Sequence, residues 1–247
     1  MIIIKTKDEI ERMRQANQII ARLFEHIEGF IKPGITTAEL DQEAELFIRA
    51  HNAIPSFKGY NGFPAAICAS INEEIVHGIP GQRRLKEGDI IGIDVGTIKD
   101  GFNGDAARTY TVGSITKEAR RLIEATKNAL AAGIEQARPG NHLYDISAAV
   151  QGVVESAGFS VVRDFVGHGI GRNLHEEPQI PNFGKKGTGP VLKEGMAFAI
   201  EPMVNAGSWK IKVLGDGWTA VTGDGSLSAH FENTIAITSD GPDILSV

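Results

Sequence analysis

Hydrophobic positions along the chain predict two helices, a group of strands, two more helices and a longer group of strands. Ile10, Met13, Ile20, Phe24 and Ile27 recur at helical spacing, with polar Asn17 on the same stripe. Thr6 and Glu9 frame the start of that stripe as a capping box, and Gly29 with Pro33-Gly34 marks its end. Thr36 and Glu39 repeat the box ahead of Leu40, Ala44, Phe47 and Ile48. From Asn52 to Pro64 the periodicity gives way to Gly, Pro and the aromatics Phe57, Tyr60 and Phe63, a loop that closes a core edge or lines a pocket. Residues 65–69 read as a strand, and 71–80 run from turn to strand to loop. Thr116 predicts the cap of a third helix carrying Leu122, Ile123, Ala129 and Leu130. Asn141 predicts the cap of a fourth, with Ile146, Val150, Val153 and Val154 inward and Gly158 at its end. Residues 159–166 are β-prone, 181–190 form a Gly-rich loop, 196–202 a strand, Asp216-Gly217-Trp218 a turn, and 227–238 a closing strand.

The pattern is most informative between Gly88 and Gly113. Asp94 interrupts the apolar run Ile90-Ile91-Gly92-Ile93, and Asp105 precedes the β-prone run Thr109-Tyr110-Thr111-Val112. Lys99-Asp100-Gly101 between them is a hairpin signal, because Gly accepts positive φ in a tight turn. A carboxylate inside an apolar strand is costly unless a cation or a donor meets it. A hairpin can bring these two to one face.

The same pattern returns. Leu85-Lys86-Glu87-Gly88 recurs as Leu192-Lys193-Glu194-Gly195, an offset of 107 residues, and the acid that ends the following strand is matched, Asp94 to Glu201. Pro33-Gly34 is echoed by Pro139-Gly140, and His77-Gly78-Ile79 by His168-Gly169-Ile170. Asp105 opens a strand in one half as Glu232 does in the other. The period is far longer than the roughly 20–50 residues of solenoid repeats. It predicts a duplicated α/β unit, with halves of about 6–113 and 114–247, folded into one domain over 1–247 with a site at the pseudo-two-fold.

Composition narrows the class. With 247 residues, 42% hydrophobic and 23% charged, the chain reads as an ordinary globular protein. A net charge of −6 argues against a nucleic-acid surface. Cys68 is the only cysteine, so no intrachain disulfide forms and a reducing compartment fits. No run approaches the roughly 18 apolar residues of a membrane span, and the start is too short for a signal peptide, so a cytoplasmic location is expected.

The candidate constellation is Asp94, Asp105, His168, Glu201 and Glu232. Four carboxylates share a small site only if cations offset their repulsion; otherwise some hold protons. Two divalent ions would balance them. Ions about 3.5–4 Å apart suit two-metal hydrolysis of amides or phosphate esters, with an acidified water as nucleophile. One imidazole and four carboxylates are compatible with Mn, Fe, Co, Ni or Zn, and do not form a structural zinc pattern. Asp100, Asp216 and Asp224 read as turn residues, His26, His51 and His142 as surface or capping histidines, and Cys68 as a small core residue. His77 and His175 are loop histidines that could hold a substrate or an oxyanion, or merely bond to their own loops.

The runs NEEIVHGIP, IDVGTIKDGFNGDAART, GHGIGRNLHEEP, EGMAFAIEPM and DGWTAVTGDGSLSAHFENT resemble type I methionine aminopeptidases in order, spacing and local sequence. The resemblance covers nearly the whole chain. It implies the pita-bread fold, two pseudo-symmetric α/β halves with a central antiparallel sheet flanked by helices, around a dinuclear metal site. It further implies that Asp94, Asp105 and Glu232 bind one ion and Asp105, His168, Glu201 and Glu232 the other. Glu201 would shuttle the proton of the attacking water, His77 would contact substrate near the scissile bond, and His175 would steady the oxyanion. Tyr60, Phe63, Cys68 and Trp218 match positions lining the methionine pocket. Leu174 stands where the family commonly has Phe, and Phe63 where Tyr is common. The implied substrate is the amino-terminal methionine of nascent polypeptides with a small second residue. The resemblance implies a monomer; few residues precede the first helix, so no amino-terminal ribosome-docking extension is expected and any contact with the ribosome surface is expected to be transient.

Three rivals stand beside this reading. A proline-specific peptidase of the same fold usually carries a large amino-terminal domain. A non-catalytic binding protein on that fold loses metal ligands, whereas all five are present here. A two-metal phosphoesterase would need basic phosphate-holding residues, and Arg108 alone is thin support.

Overall fold

The computed structural model describes residues 1–247. Two helices open the chain, α1 (Lys7–Glu28) and α2 (Thr37–Ala50). Both capping boxes form: Thr6 and Thr36 accept from the backbone N–H of Glu9 and Glu39, whose carboxylates reach back to the cap N–H. Each box occupies otherwise orphaned N–H groups at a helix start. Strands β1 (Ile54–Pro55), β2 (Ile67–Ile71), β3 (Glu74–Val76), β4 (Ile90–Lys99) and β5 (Phe102–Thr111) complete the first half. The second half begins with α3 (Lys117–Gln136) and α4 (Leu143–Ser156). Then follow β6 (Ser160–Val161), β7 (Gly167–Gly169), β8 (Glu176–Ile180), β9 (Ala197–Ile200) and β10 (Met203–Asn205). The chain closes with β11 (Ile211–Val213), β12 (Ala220–Thr222), β13 (Ser228–His230), β14 (Asn233–Thr238) and β15 (Gly241–Ile244).

The expected hairpin is present. Lys99 pairs with Phe102, and Asp100 and Gly101 take φ of +47° and +79°, the left-handed pair that a two-residue turn demands. Gly96 lies opposite Asp105, so Asp94, two residues before Gly96, shares a face with Asp105. The repeat has its structural counterpart in the antiparallel pair β9 and β14. One sheet holds β1, β4, β2 and β5 and a second runs β15-β14-β9-β7-β8; two smaller sheets run β13-β10-β6 and β11-β12-β3. Ala107 of β5 and Glu232, just before β14, exchange two backbone hydrogen bonds, 3.0 and 3.4 Å, and so join the two larger sheets beside Asp105. Each half has its own apolar core. One gathers around α1, α2 and the first sheet, the other around α3, α4 and the second. A smaller cluster with Met13, Phe57, Phe63, Cys68 and Leu174 lies where the halves meet.

Three expectations need correction. The fourth helix is capped at His142, not Asn141: Asp145 accepts from His142 N–H, while the Asn141 amide donates to Gln136 O and so finishes the helix before it. The β-prone stretch 159–166 yields only the two-residue β6. Residues 227–238 form two strands in different sheets, broken at Phe231 and Glu232, and β15 is the last strand. No helix is long and apolar enough to cross a membrane.

Candidate active site and metal centre

Asp94, Asp105, His168, Glu201 and Glu232 line one cavity of about 610 Å³ at the junction of the halves. Asp94 comes from β4, Asp105 from β5 and His168 from β7. Glu201 directly follows β9, and Glu232 sits in the break before β14. Asp105, His168 and Glu232 offer ligand atoms within 4.8 Å of one another. His168 Nε2 lies 3.6 Å from Asp105 Oδ2 and 3.6 Å from Glu201 Oε1. Its other nitrogen, Nδ1, donates to Gly169 O at 2.9 Å, which leaves a bare lone pair on Nε2 facing the acids.

This is electrostatically unbalanced as protein alone. Asp94 Oδ1, Asp105 Oδ1 and Glu232 Oε1 are buried without a hydrogen-bond partner. Burial pushes the Asp94, Asp105, Glu201 and Glu232 carboxyls well above the usual carboxylate range, and neighbouring acids push Asp94, Glu201 and Glu232 further. The nearby cation, Arg108, spends its guanidinium on the backbone oxygens of Ala107 and Glu232 and on Asn233 Oδ1. Burial pushes His77 and His168 down to about 4, so neither supplies positive charge at neutral pH. A bare imidazole nitrogen converging with orphaned carboxylate oxygens is a donor set that suits hard-to-borderline divalent cations.

Around the acids lie the other predicted residues. The Tyr60 hydroxyl is 2.7 Å from His175 Nδ1, and the His175 ring stands edge-on to His168, centroids 4.3 Å apart. His175 reaches solvent on its outer edge; burial of the inner part and the neighbouring His168 bring it to about 4 as well. Lys5 and Glu176 form a buried ion pair, and Glu176 also accepts from Asn173 N–H at 3.2 Å, bracing the loop that carries His175. His77 takes φ +59°, uncommon for a residue with a side chain, and its ring packs edge-on against Phe165 and Trp218. Gly78 permits this turn because a Cβ there would lie 2.3 Å from Ala69 O. Phe63 and Trp218 meet edge-to-face at 5.1 Å, and Cys68 is buried beside Asp94. Leu174 is buried on the same wall. Asp216 and Asp224 accept from nearby backbone N–H groups, as turn residues do.

Size alone would point elsewhere. A groove of about 790 Å³ between α1 and α3 is larger, yet it contains none of the converging acids. One residue with a place at the site escaped the sequence reading. His230 Nε2 lies 3.7 Å from Glu201 Oε2, buried and without a partner. The signal was its position two residues before Glu232, the i, i+2 spacing that puts side chains on one face of extended chain.

Comparison with known proteins agrees with the geometry. A model of metallopeptidase family M24 matches residues 11–239. A protein of Clostridium acetobutylicum named methionine aminopeptidase is 56% identical over 248 residues, covering 100% of this chain and 99% of the relative. Methionine aminopeptidase 1 of Bacillus subtilis is 56% identical over 246 residues, with coverage of 100% and 99%. The crystal structure of methionine aminopeptidase from Rickettsia prowazekii superposes with a TM-score of 0.99 at 47% identity, covering 100% of both chains. The two-halved architecture is therefore the pita-bread fold, divalent-metal binding comes with it, and the chain belongs to metallopeptidase family M24.

Proposed function

We propose that this chain is a divalent-metal-dependent aminopeptidase that removes the initiator methionine from nascent polypeptides whose second residue is small. The observation that carries the reading is the convergence of four buried carboxylates and the bare nitrogen of His168 on one cavity with no Lys or Arg paired to them. Relatives of that name, aligned over the whole chain, support it.

Two ions, of Co, Mn, Fe, Ni or Zn, fit the donor set. Asp94, Asp105 and Glu232 would hold one; Asp105, His168, Glu201 and Glu232 would hold the other, Asp105 and Glu232 belonging to both sets. Bound divalent ions supply a water acid enough to ionise near neutral pH and a Lewis acid for the scissile carbonyl. Glu201, whose carboxyl is raised by burial, would take a proton from the attacking water and return it to the leaving amine. Tyr60 pairs with His175 Nδ1; in the tautomer in which the hydroxyl donates, the ring proton sits on Nε2 and can donate to the carbonyl oxygen as charge develops. His77 fixes the substrate near the scissile bond. Phe63, Trp218, Tyr60 and Cys68 wall a pocket for an unbranched, polarisable thioether, which makes favourable contacts with aromatic edges. The 1–247 chain acts as one catalytic unit of two halves, monomeric and cytoplasmic, touching the ribosome surface transiently while it meets its substrate.

Chelator-stripped protein, restored with Mn, Fe or Co one at a time, tests this on two peptides, one beginning Met-Ala and one beginning Ala-Pro. Metal-dependent release of Met from the first alone is expected. Cleavage of the second instead would assign a proline-specific peptidase. Metal binding without cleavage of either would assign a binding protein.

A further inference from the structure

His230 has no part in the roles set out above, yet it is 3% exposed and ends β13 against the acid cluster. Its backbone is held from the opposite half of the molecule. His230 N–H donates to Thr109 Oγ1 at 3.0 Å, and the same hydroxyl donates to His230 O at 2.8 Å. The imidazole is thereby presented to Glu201 from a fixed backbone. Glu201 lies between two rings: Oε1 is 3.6 Å from His168 Nε2, and Oε2 is 3.7 Å from His230 Nε2. The two nitrogens differ in kind. His168 commits its proton to Gly169 O through Nδ1, so its Nε2 faces the cavity as a lone pair. His230 Nε2 has no partner at all, and the polar atom it faces is a carboxylate oxygen. At 3.7 Å that oxygen lies a few tenths of an ångström, about 0.5 Å, beyond hydrogen-bond range.

We infer that His230 is a positioning residue: its Nε2–H donates to Glu201 Oε2 and so turns Oε1 toward His168 and the cation. The inference rests on the reading of Glu201 as a metal ligand. A buried nitrogen with no hydrogen-bond partner costs stability.

The test compares apo wild type with His230→Gln and His230→Leu, titrated with Mn²⁺ alone by electron paramagnetic resonance and melted without metal. Gln places an amide N–H where the imidazole Nε2 was; Leu keeps bulk and removes the donor. His230→Gln is expected to bind Mn²⁺ within about threefold of wild type. His230→Leu is expected to bind about 10–100-fold more weakly, the usual loss when a ligand's orienting partner is removed, while melting no lower than wild-type apo protein. Wild-type affinity in His230→Leu overturns the inference, as does equal loss in both variants. Weakened binding accompanied by a lower apo melting temperature in His230→Leu also overturns it, since that is the mark of a structural residue. If wild type binds no Mn²⁺, the metal reading itself fails; if wild type binds and His230→Leu matches it, only the positioning role fails.

Discussion

Removing the metal should make the stability of this protein fall as pH rises, and the structure gives the sign. In the apo protein, burial raises the Asp94, Asp105, Glu201 and Glu232 carboxyls well above their ordinary values. The unfolded chain loses those protons near pH 4. Above that point the folded state holds protons that the unfolded state has lost, so stability declines with pH until the folded carboxyls have ionised too. The buried histidines act the other way. His77 and His168, held near 4, and His230, held near 3, make the unfolded chain the better proton binder up to about pH 6.5. Above about pH 6.5 their contribution is flat, and the slope comes from the acids, joined toward pH 8.5 by the Cys68 thiol, which burial also raises.

Each extra proton retained by the folded apo protein then costs about 1.4 kcal/mol per pH unit. Over roughly two units that is about 3 kcal/mol, or about 6–12 °C in Tm for a chain of this size. Saturating Mn²⁺ should remove the slope and, at about 100 times its Kd, add about 2.7 kcal/mol. The assay is thermal melting between about pH 6.5 and 8.5, with chelator and with Mn²⁺. An apo Tm independent of pH across that window would refute the argument, because it would mean that the folded protein retains no carboxyl proton there. So would a pH slope that Mn²⁺ leaves untouched.

Other consequences can be checked one at a time. Glu201→Ala should abolish turnover while the circular dichroism of the apo protein stays unchanged; near-wild-type turnover at saturating metal would sink its assigned role. His175→Ala should lower kcat by about 10²–10³ with little change in KM, the size expected for one oxyanion donor; unchanged kcat with raised KM would place it in ground-state binding instead. Gly78→Ala should destabilise by about 1–3 kcal/mol in urea unfolding, since the added methyl meets Ala69 O at 2.3 Å; wild-type stability would show that the turn carrying His77 yields freely.

What could be read from the chain, and what could not, divides along the range of the interactions involved. Capping boxes at Thr6 and Thr36, the Asp100-Gly101 turn and the strand carrying Asp94 are set within a few residues, by hydrogen bonds and φ preferences the residues themselves dictate. The misassigned features depend on partners far away in sequence. Asn141 has the chemistry of an N-cap, but the carbonyl of Gln136 claims its amide, and Asp145 caps the helix one residue later. Residues 159–166 have strand propensity but find one short partner, β10, so only Ser160 and Val161 pair.

The break at Phe231 and Glu232 shows why the site itself is harder to read than the fold. By propensity 227–238 is one strand, yet β13 pairs with β10 and β14 with β9, in different sheets. Glu232 falls at the crossing, where its N–H and C=O turn from a same-half neighbour to Ala107 of the other half. Arg108 clamps the outer side of that crossing, and Thr234 exchanges hydrogen bonds with the Asp105 backbone just beyond it. The strand is interrupted where continuity would have kept Glu232 within its own sheet, away from Asp105. A local rule of strand formation gives way at the residue where the two halves must share a charge, and no local pattern records that, because the other party to the arrangement lies more than a hundred residues earlier in the chain.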